Sequence, residues 1–535
     1  MRVLLLSGLG PEHVNSNALD GTLLEGSSSG REPSAQVAAA YARLAGRPVD
    51  LKAFRYGGEH GYPLLRASRG KTPHLPTATL RSILDQADVE YEWFDTEHVW
   101  SGEAEPTGDF DVVALSTTFI WDGATLQRAI RWAKERFPAA TLVLGGQFSN
   151  LKYAEILSEH HDVEYVIRGD AEQALPQFLR ARAGRGHWSE VPNLTWRAPN
   201  GDIQAPLITY IDIEQHPSPA FRGTHQVVPY ESMRGCPFTC KFCAYPAASP
   251  KWRYKSAEKM VRDWAGYAEK NGAQVIKSMD SVFTIPPTRF RQLLDILPSL
   301  GVSWEGYSRA NVLDTRETVQ RLEASHCRFL FIGFEAMNDT ALRNMSKRVT
   351  VAQNLRAVEA LRGTTIDVRA SFLVGYPGET PEDYEQTHRF VVDEFQGRFN
   401  VNFFIFMDET MPVWQDAPIY ELDVTNPWTW THCGMDSATA FKLRERTLHE
   451  ARWRNDHAVH ELWQLWHVRP LVPDLDLHAN YRIEKLIERL AYLVKDLGED
   501  ATAAGRCRGM LDELSSLGIW TGSPRGAGAL AQAAG

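Results

Sequence analysis

The chain has 535 residues, of which 43% are hydrophobic and 23% charged, a balance typical of a folded multidomain protein rather than a disordered or fibrous one. Its formal net charge of −10 disfavours nucleic acid as a partner, and no apolar run approaches the ~20 residues of a membrane crossing. Six cysteines are too few for a disulfide scaffold, so we expect a cytoplasmic protein with neither nucleic-acid nor membrane partners.

Apolar runs and helical stretches alternate through the first 183 residues. Strands are predicted at 1–7, 89–94, 112–115, 141–144 and 164–167, and helices at 79–87, 124–137, 154–159 and 171–183. Such alternation predicts a parallel sheet covered by helices on both faces.

Small and hydroxyl residues follow several of these strands, where ligands of parallel sheets bind. The candidate cofactor contacts are Ser116, Thr117, Thr118, Phe119, Gly145, Gly146, Gln147, Gly169 and Glu172. No G-x-G-x-x-G pattern identifies a dinucleotide, and a Gly-Gly turn alone is common. The long stretch 8–75 has no clear strand, so we expect it to fold over a ligand face and to deliver Arg66 or Arg69, unless these charges are simply solvated.

Three cysteines, Cys236, Cys240 and Cys243, lie within eight positions. Thiolates at this spacing can hold three irons of a cubane cluster and leave the fourth open to a small chelating ligand, whereas structural zinc takes four ligands, usually from two paired knuckles. The remaining cysteines are isolated and no second C-x-x-C exists. The pattern therefore favours a [4Fe-4S] cluster, with zinc or inert cysteines as alternatives.

The cysteine loop, with Phe242 before its last cysteine, resembles the motif of the radical S-adenosylmethionine (SAM) superfamily. Downstream, strands predicted at 274–279, 303–309, 328–333, 367–374 and 400–406 alternate with helices. Together with the strand before Cys236 they are similar to the partial (β/α)6 barrel of that superfamily. The phrases around Glu335 and from Val374 to Thr380 resemble its cobalamin-dependent branch, class B, which contains methyltransferases.

This resemblance implies an α/β architecture of several domains. We expect a Rossmann-like cobalamin-binding domain at 1–187 with the long loop 8–75, a linker at 188–225, the radical SAM barrel at 226–425, and a mainly helical domain at 426–535 that caps the active site. The cobalamin-ligating pattern D-x-H-x-x-G is absent, and Asp95 to His98 has the wrong spacing. We therefore expect cobalt without a histidine ligand from this chain, with Arg69 near the lower corrin face.

The resemblance also implies roles for residues at the strand ends. SAM contacts are expected from Phe242, Asp280, Ser281, Arg309, Glu335 and Ser371, and substrate contact or proton removal from Tyr307 and Glu305. An internal Arg–Glu pair that braces the barrel is the alternative for Arg309 and Glu335, and packing is the alternative for Tyr307.

The activity implied is transfer of a methyl group from SAM, through methylcobalamin, to an unactivated carbon or phosphorus of a small molecule. A natural product is favoured, which would place the enzyme in antibiotic biosynthesis, and a flavodoxin or ferredoxin would donate electrons. Oxidative cyclisation or ring rearrangement without methylation is the alternative. A cobalamin-binding carrier protein and an RNA-modifying enzyme are weaker ones, the latter disfavoured by the net charge.

Overall fold

The computed structural model describes residues 1–9, 72–120, 122–460, 475–493 and 502–517. Arg66 and Arg69, with nearly all of the predicted loop 8–75, lie outside the described residues. The chain divides into two compact units. Of the described residues, unit 1 holds 1–9, 73–238 and 244–273, and unit 2 holds 72, 239–243 and those from 274 onward.

Unit 1 is built on a seven-stranded sheet with the order β2-β1-β3-β4-β5-β6-β7. Its strands are β1 Val3–Ser7, β2 Tyr91–Asp95, β3 Val112–Ser116, β4 Thr141–Gly145, β5 Tyr165–Ile167, β6 Leu194–Arg197 and β7 Ile203–Gln204. The first five run parallel, and the last two add antiparallel at the edge. This order of the parallel strands is that of the flavodoxin-like doubly wound fold, in which the direction of winding across the sheet reverses between β1 and β3.

Helices cover both faces of this sheet, as its sequence predicts. The helices of unit 1 are α1 Leu75–Gln86, α2 Thr96–Ser101, α3 Gly123–Arg136, α4 Gln147–Glu159, α5 Ala171–Arg182, α6 Tyr245–Ala248 and α7 Ala257–Asn271. Alternate residues of one strand enter different cores, since Leu4 and Leu6 pack in one cluster and Val3 and Leu5 in the other. A strand buried on both faces reads as a continuous apolar run, which explains Val3–Ser7.

Unit 1 also contains three short strands outside this sheet: β8 Val227–Tyr230, β9 Met233–Arg234 and β10 Arg253–Tyr254. The last two pair antiparallel, Arg253 opposite Arg234. The cysteine motif starts immediately after β9.

Unit 2 contains an open parallel sheet with the order β18-β15-β14-β13-β12-β11. These strands are β11 Val275–Ser278, β12 Ser303–Arg309, β13 Cys327–Glu335, β14 Asp367–Val374, β15 Gly397–Phe403 and β18 Ala458–His460, and β16 Asp423–Asn426 with β17 Thr429–Thr431 forms a separate hairpin. The helices are α8 Pro287–Ile296, α9 Arg316–Ala324, α10 Asp339–Asn344, α11 Val351–Leu361, α12 Pro381–Arg389, α13 Ala417–Tyr420, α14 Ser437–Arg454, α15 Leu477–Leu493 and α16 Ala503–Ser516.

The region after residue 426 differs from its prediction. A mainly helical domain is expected from residue 426, but α14 ends at Arg454 and the chain then adds β18 parallel to β15. The Asn455 amide causes the break by donating to the carbonyls of Val391 (3.1 Å) and Phe395 (2.9 Å). This region therefore supplies strands as well as helices. Among the described residues, no helix is long and apolar enough to cross a membrane.

Candidate active site

A cleft of about 280 Å³ opens in unit 1 at the carboxyl ends of β1, β3, β4 and β5. Seven of the residues predicted from sequence line it: Ser116, Thr118, Gly145, Gly146, Gln147, Gly169 and Glu172. Apolar side chains such as Leu5, Ala114 and Leu175 form other parts of its wall. A cleft with apolar walls and a polar rim, at the carboxyl edge of a doubly wound sheet, suits an extended organic ligand.

Gly146 shapes this cleft because its backbone cannot tolerate a side chain. Its φ is +121°, and a Cβ atom would lie 2.6 Å from the Thr118 nitrogen and 2.9 Å from its Oγ1. The turn lets the chain enter α4 directly after β4, so this helix begins at Gln147, seven residues earlier than predicted. The start of α4 thereby faces the cleft, and no side chain caps it.

Thr117 and Phe119 do not line the cleft, contrary to the expectation that both would contact a cofactor. Thr117 is fully buried, and its Oγ1 bonds the Gly145 carbonyl (3.1 Å) and Ser149 Oγ (2.9 Å). Phe119 packs against His74, with 5.0 Å between ring centroids. The physical reason is alternation, since successive residues leaving a strand point to opposite sides.

A buried ion network borders the cleft next to the cysteine motif. Asp170 accepts from Arg234 (2.8 Å) and Arg253 (2.6 Å), and Arg234 also bonds Glu172 (2.6 Å) and Glu231 (3.0 Å). Burial alone would raise the pKa of Asp170, but the two guanidinium groups outweigh it and lower that pKa. Glu172 thus lines the cleft with a carboxylate that is paired with Arg234. The network anchors β9, from which the chain continues to Cys236.

Of the described residues near this sheet edge, neither His74 nor His98 is arranged as a metal ligand. Asp95 accepts from the Glu97 amide as the cap of α2, and His98 is exposed, 3.9 Å from Glu103. His74 caps α1: its Nδ1 bonds Thr77 Oγ1 (2.7 Å) and accepts from the Thr77 amide (3.3 Å). Because Nδ1 is an acceptor, Nε2 carries the proton, and burial lowers the His74 pKa to about 4.

The three cysteines of the motif form no disulfide bond with a described cysteine. Cys236 belongs to unit 1, whereas Cys240 and Cys243 belong to unit 2, where the Cys243 amide donates to the Cys240 carbonyl (3.1 Å). Within the described ranges, no three His, Cys, Asp or Glu side chains meet as ligands of a single metal ion. A cubane cluster binds each cysteine through a different iron and does not require that convergence.

Basic residues surround the second part of the cysteine loop. Arg309, 3% exposed, points its Nη1 at Cys240 Sγ, 3.7 Å away, and another of its nitrogens donates to the Lys347 carbonyl. Lys347 Nζ bonds Glu335 Oε1 (2.7 Å) and lies 5.7 Å from the centre of the Phe242 ring. Sequence reasoning missed Lys347, although it lies only twelve residues after Glu335.

The register of the sheet shows how far each of the other candidate site residues lies from the carboxyl ends of the strands. Arg309, Gly333 and Ser371 are aligned neighbours near the carboxyl ends of β12, β13 and β14. Tyr307 lies one pleat deeper, and its ring packs on Phe331 with centroids 5.1 Å apart. Tyr307 thus makes a packing contact, which was the alternative to contact with the substrate.

Glu305 is a weak candidate for a catalytic base. It lies four residues before Arg309 on β12, about 13 Å deeper along the strand. Its carboxylate accepts from Arg328 Nη2 (2.6 Å) and Nε (2.8 Å). A paired carboxylate below the expected reaction centre is better explained as a brace of the sheet.

Asp280 and Ser281 lie just beyond the carboxyl end of β11, separated from it only by Met279. Asp280 is 3% exposed, and its Oδ2 accepts from Ser278 Oγ at 3.0 Å. Ser371 accepts from the Asn402 amide at 2.9 Å. Asn402, on the neighbouring strand, therefore joins the candidate site.

The loop after β14 holds a buried carboxyl group. Glu379 Oε2 accepts from the Gly375 amide (2.7 Å), whereas Oε1 has no partner. Burial raises the pKa of Glu379 to about 8, even though the Gly375 bond opposes the shift. The side chain is thus largely protonated at neutral pH.

The β16–β17 hairpin packs on this loop. Trp430 is 1% exposed, donates to the Phe404 carbonyl (3.0 Å) and stacks on His432. His432 Nδ1 accepts from the Gly378 amide (3.3 Å) and the Gly434 amide (3.0 Å). Trp430 and His432 are therefore buried packing residues, whereas Trp428 is 51% exposed.

A family model and several known proteins match parts of this chain. The family model described as the Radical SAM superfamily matches residues 230–391. An uncharacterized methyltransferase of Pyrococcus horikoshii is 25% identical over 301 residues, which are 53% of this chain and 64% of that protein. An anaerobic magnesium-protoporphyrin IX monomethyl ester cyclase of Rubrivivax gelatinosus is 26% identical over 286 residues, 50% of this chain and 51% of that one. The chain thus spans between about half and two thirds of these relatives' lengths.

Two solved structures share the fold over most of the chain. The cobalamin-dependent SAM radical enzyme OxsB, with aqua-cobalamin and SAM bound, has a TM-score of 0.58 and 15% identity, covering 85% of this chain and 75% of its own. The radical SAM methyltransferase TsrM of Kitasatospora setae, with cobalamin and a [4Fe-4S] cluster bound, has a TM-score of 0.58 and 16% identity, covering 83% and 97%. Residues 230–391 of this chain thus match the Radical SAM superfamily model, and the fold of the chain is similar to the folds of OxsB and TsrM.

Proposed function

We propose that the protein is a cobalamin-dependent radical SAM methyltransferase acting on an unactivated carbon or phosphorus of a small molecule. The observation that carries the proposal is the order of two features along one chain. A doubly wound sheet with an open cleft at its carboxyl edge is followed by a segment that matches the Radical SAM model and contains the three-cysteine motif. The shared fold of OxsB and TsrM supports it.

The residues present fit the three cofactors that this function requires. Cys236, Cys240 and Cys243 would ligate a [4Fe-4S] cluster, because thiolates at this spacing leave one iron open. The cleft beside Gly146 would take the nucleotide tail of cobalamin, because close backbone approach is possible only without a side chain there. When bound, the cluster supplies the electron that cleaves SAM, and cobalamin carries the methyl group.

The chain's own contribution is to place and shield these groups. Asp280 and Ser281 lie just beyond the carboxyl end of β11, and Ser371 lies in the carboxyl half of β14, where SAM would bind. The hairpin residues Trp430 and His432 hold the loop 375–379 in place beside that edge. Arg69 remains a proposed contact of the lower corrin face, and a flavodoxin or ferredoxin the proposed electron donor.

The test is anaerobic purification of the full chain with iron, sulfide and cobalamin analysis, followed by reaction with SAM and strong reductant. We expect about four irons and one cobalamin per chain, and cleavage of SAM that Cys240→Ala abolishes. Protein that contains no iron, or leaves SAM intact, would show that the proposal is wrong.

A second candidate is oxidative cyclisation without methylation, favoured by the similarity to the magnesium-protoporphyrin ester cyclase. The two functions differ in their products. A methyltransferase forms S-adenosylhomocysteine and 5′-deoxyadenosine in near-equal amounts, whereas a cyclase forms little of the former. Quantifying both products with a candidate substrate decides between them.

A further inference from the structure

Three buried charged side chains adjoin the last two cysteines of the motif. Arg309, Lys347 and Glu335 are 3%, 5% and 8% exposed. Fully buried charges are costly unless they are paired or hydrogen-bonded, so the groups that these three side chains contact determine what their charges do.

Their contacts connect them to the loop itself. The Arg309 guanidinium lies 3.7 Å from Cys240 Sγ and is anchored by the Lys347 carbonyl. The Lys347 ammonium bonds Glu335 at 2.7 Å and faces the ring of Phe242, the residue before Cys243. The neighbouring Lys241 forms its own ion pair with Asp416 and adds no net charge.

The backbone is shaped to hold the Glu335–Lys347 pair in this place. A Cβ atom on Gly333 would lie 2.4 Å from Glu335 Oε1 and 2.8 Å from Lys347 Nζ. Glu335 itself has a φ of +65°, a conformation that costs free energy for a residue with a side chain. Strain of this kind persists only where the surrounding structure enforces it, so the position of the pair is built in rather than incidental.

A positive charge and N–H···S hydrogen bonds both favour the reduced, more negative state of an iron–sulfur cluster. We propose that Arg309 and Lys347 raise the reduction potential of the cluster on the cysteine loop, and that Glu335 opposes them. They are positioning residues that act through the cluster's surroundings. This inference rests on the proposed function, and it assigns Arg309 to a cysteine sulfur rather than to the SAM carboxylate.

The test is a redox titration of the anaerobically reconstituted full chain, followed by the paramagnetic signal of the reduced cluster, without SAM. Lys347→Met should shift the potential to a more negative value, and Glu335→Gln to a more positive one. The double variant should return towards the parent value. A purely structural role would not produce shifts of opposite sign.

Two control variants distinguish the effect of a lost charge from the effect of structural disruption. Lys347→Arg keeps the charge and should keep the potential. Arg328→Met breaks an ion pair of similar length, Arg328–Glu305 at 2.6 Å, deeper in the same sheet and should change the potential little.

The outcomes distinguish the inference from the function it rests on. Parent protein that binds no cluster overturns the proposed function. Full cluster content with unchanged potentials in Lys347→Met and Glu335→Gln overturns the inference alone. If Lys347→Met fails to fold, the near-isosteric Glu335→Gln decides the matter, since no positive shift in that variant also overturns it.

Discussion

At the scale of single residues, Gly146 is the position where the backbone dictates the site. Replacement by Ala forces a side chain into a left-handed backbone conformation and against the Thr118 nitrogen. We expect Gly146→Ala to lose about 1–3 kcal/mol of stability from backbone strain alone and to weaken cobalamin binding at least about tenfold. Thermal unfolding and equilibrium dialysis with cobalamin measure the two effects.

Gly184 is the matched control for this change. It also has a positive φ, +73°, but a Cβ atom there would meet nothing within 4 Å. Gly184→Ala should therefore lose stability by strain while binding cobalamin normally. Equal cobalamin affinity in both variants would contradict the role of Gly146 in the cleft.

Glu379 makes stability depend on pH. Burial raises its pKa from 4.5 to about 8, so the folded protein keeps a proton that the unfolded chain loses above pH 4.5. Its contribution to stability is therefore complete below pH 4.5 and is lost as pH rises towards 8, by at most about 1.4 kcal/mol per pH unit. Thermal unfolding of Glu379→Gln between pH 5 and 8 should show a shallower decline than the parent protein.

Exposed Glu382, three residues on, provides the comparison. Glu382→Gln makes the same chemical change on an exposed side chain and should leave the pH dependence of unfolding unchanged. A parent protein whose stability is flat from pH 5 to 8 would rule out a neutral Glu379.

At the scale of elements, the β16–β17 hairpin braces the loop after β14. Trp430 is buried between Phe403 and His432, with ring centroids 5.6 and 5.3 Å away. Trp430→Ala should cost about 3–5 kcal/mol and weaken SAM binding, because the loop 375–379 loses its support. Calorimetric titration with SAM and thermal unfolding check both expectations.

The same hairpin contains its own control in Trp428, which is 51% exposed. Trp428→Ala should change stability by less than about 0.5 kcal/mol and leave SAM affinity unchanged. If Trp430→Ala lost stability but bound SAM like the parent protein, the hairpin would be a packing element only.

At the scale of the whole molecule, the two proposed cofactor sites can be altered by separate substitutions. The cleft belongs to unit 1, whereas Cys240 belongs to unit 2. We expect Cys240→Ala to lose the cluster but keep cobalamin, and Gly146→Ala to show the reverse. Iron and cobalamin analysis of the two purified variants measures this, and loss of both cofactors in either variant would contradict it.

Much of the architecture follows from local sequence. Continuous apolar runs such as 112–115, alternating with helical stretches, indicate strands buried on both faces, and the bounds predicted for Ser303–Arg309 and Asp367–Val374 agree with the structure. The spacing from Cys236 to Cys243 likewise favours an iron–sulfur cluster over zinc. These features are determined by neighbours along the chain, so periodicity and motif spacing suffice to find them.

Tertiary structure alone decided which candidates share a site. Thr117 and Thr118 are adjacent in sequence, yet only Thr118 lines the cleft, because the exit angle of β3 sends their side chains apart. Lys347 reaches Phe242 only because parallel strands bring together segments a hundred residues apart. Pairing between distant segments depends on packing and register, which no local pattern in the chain encodes.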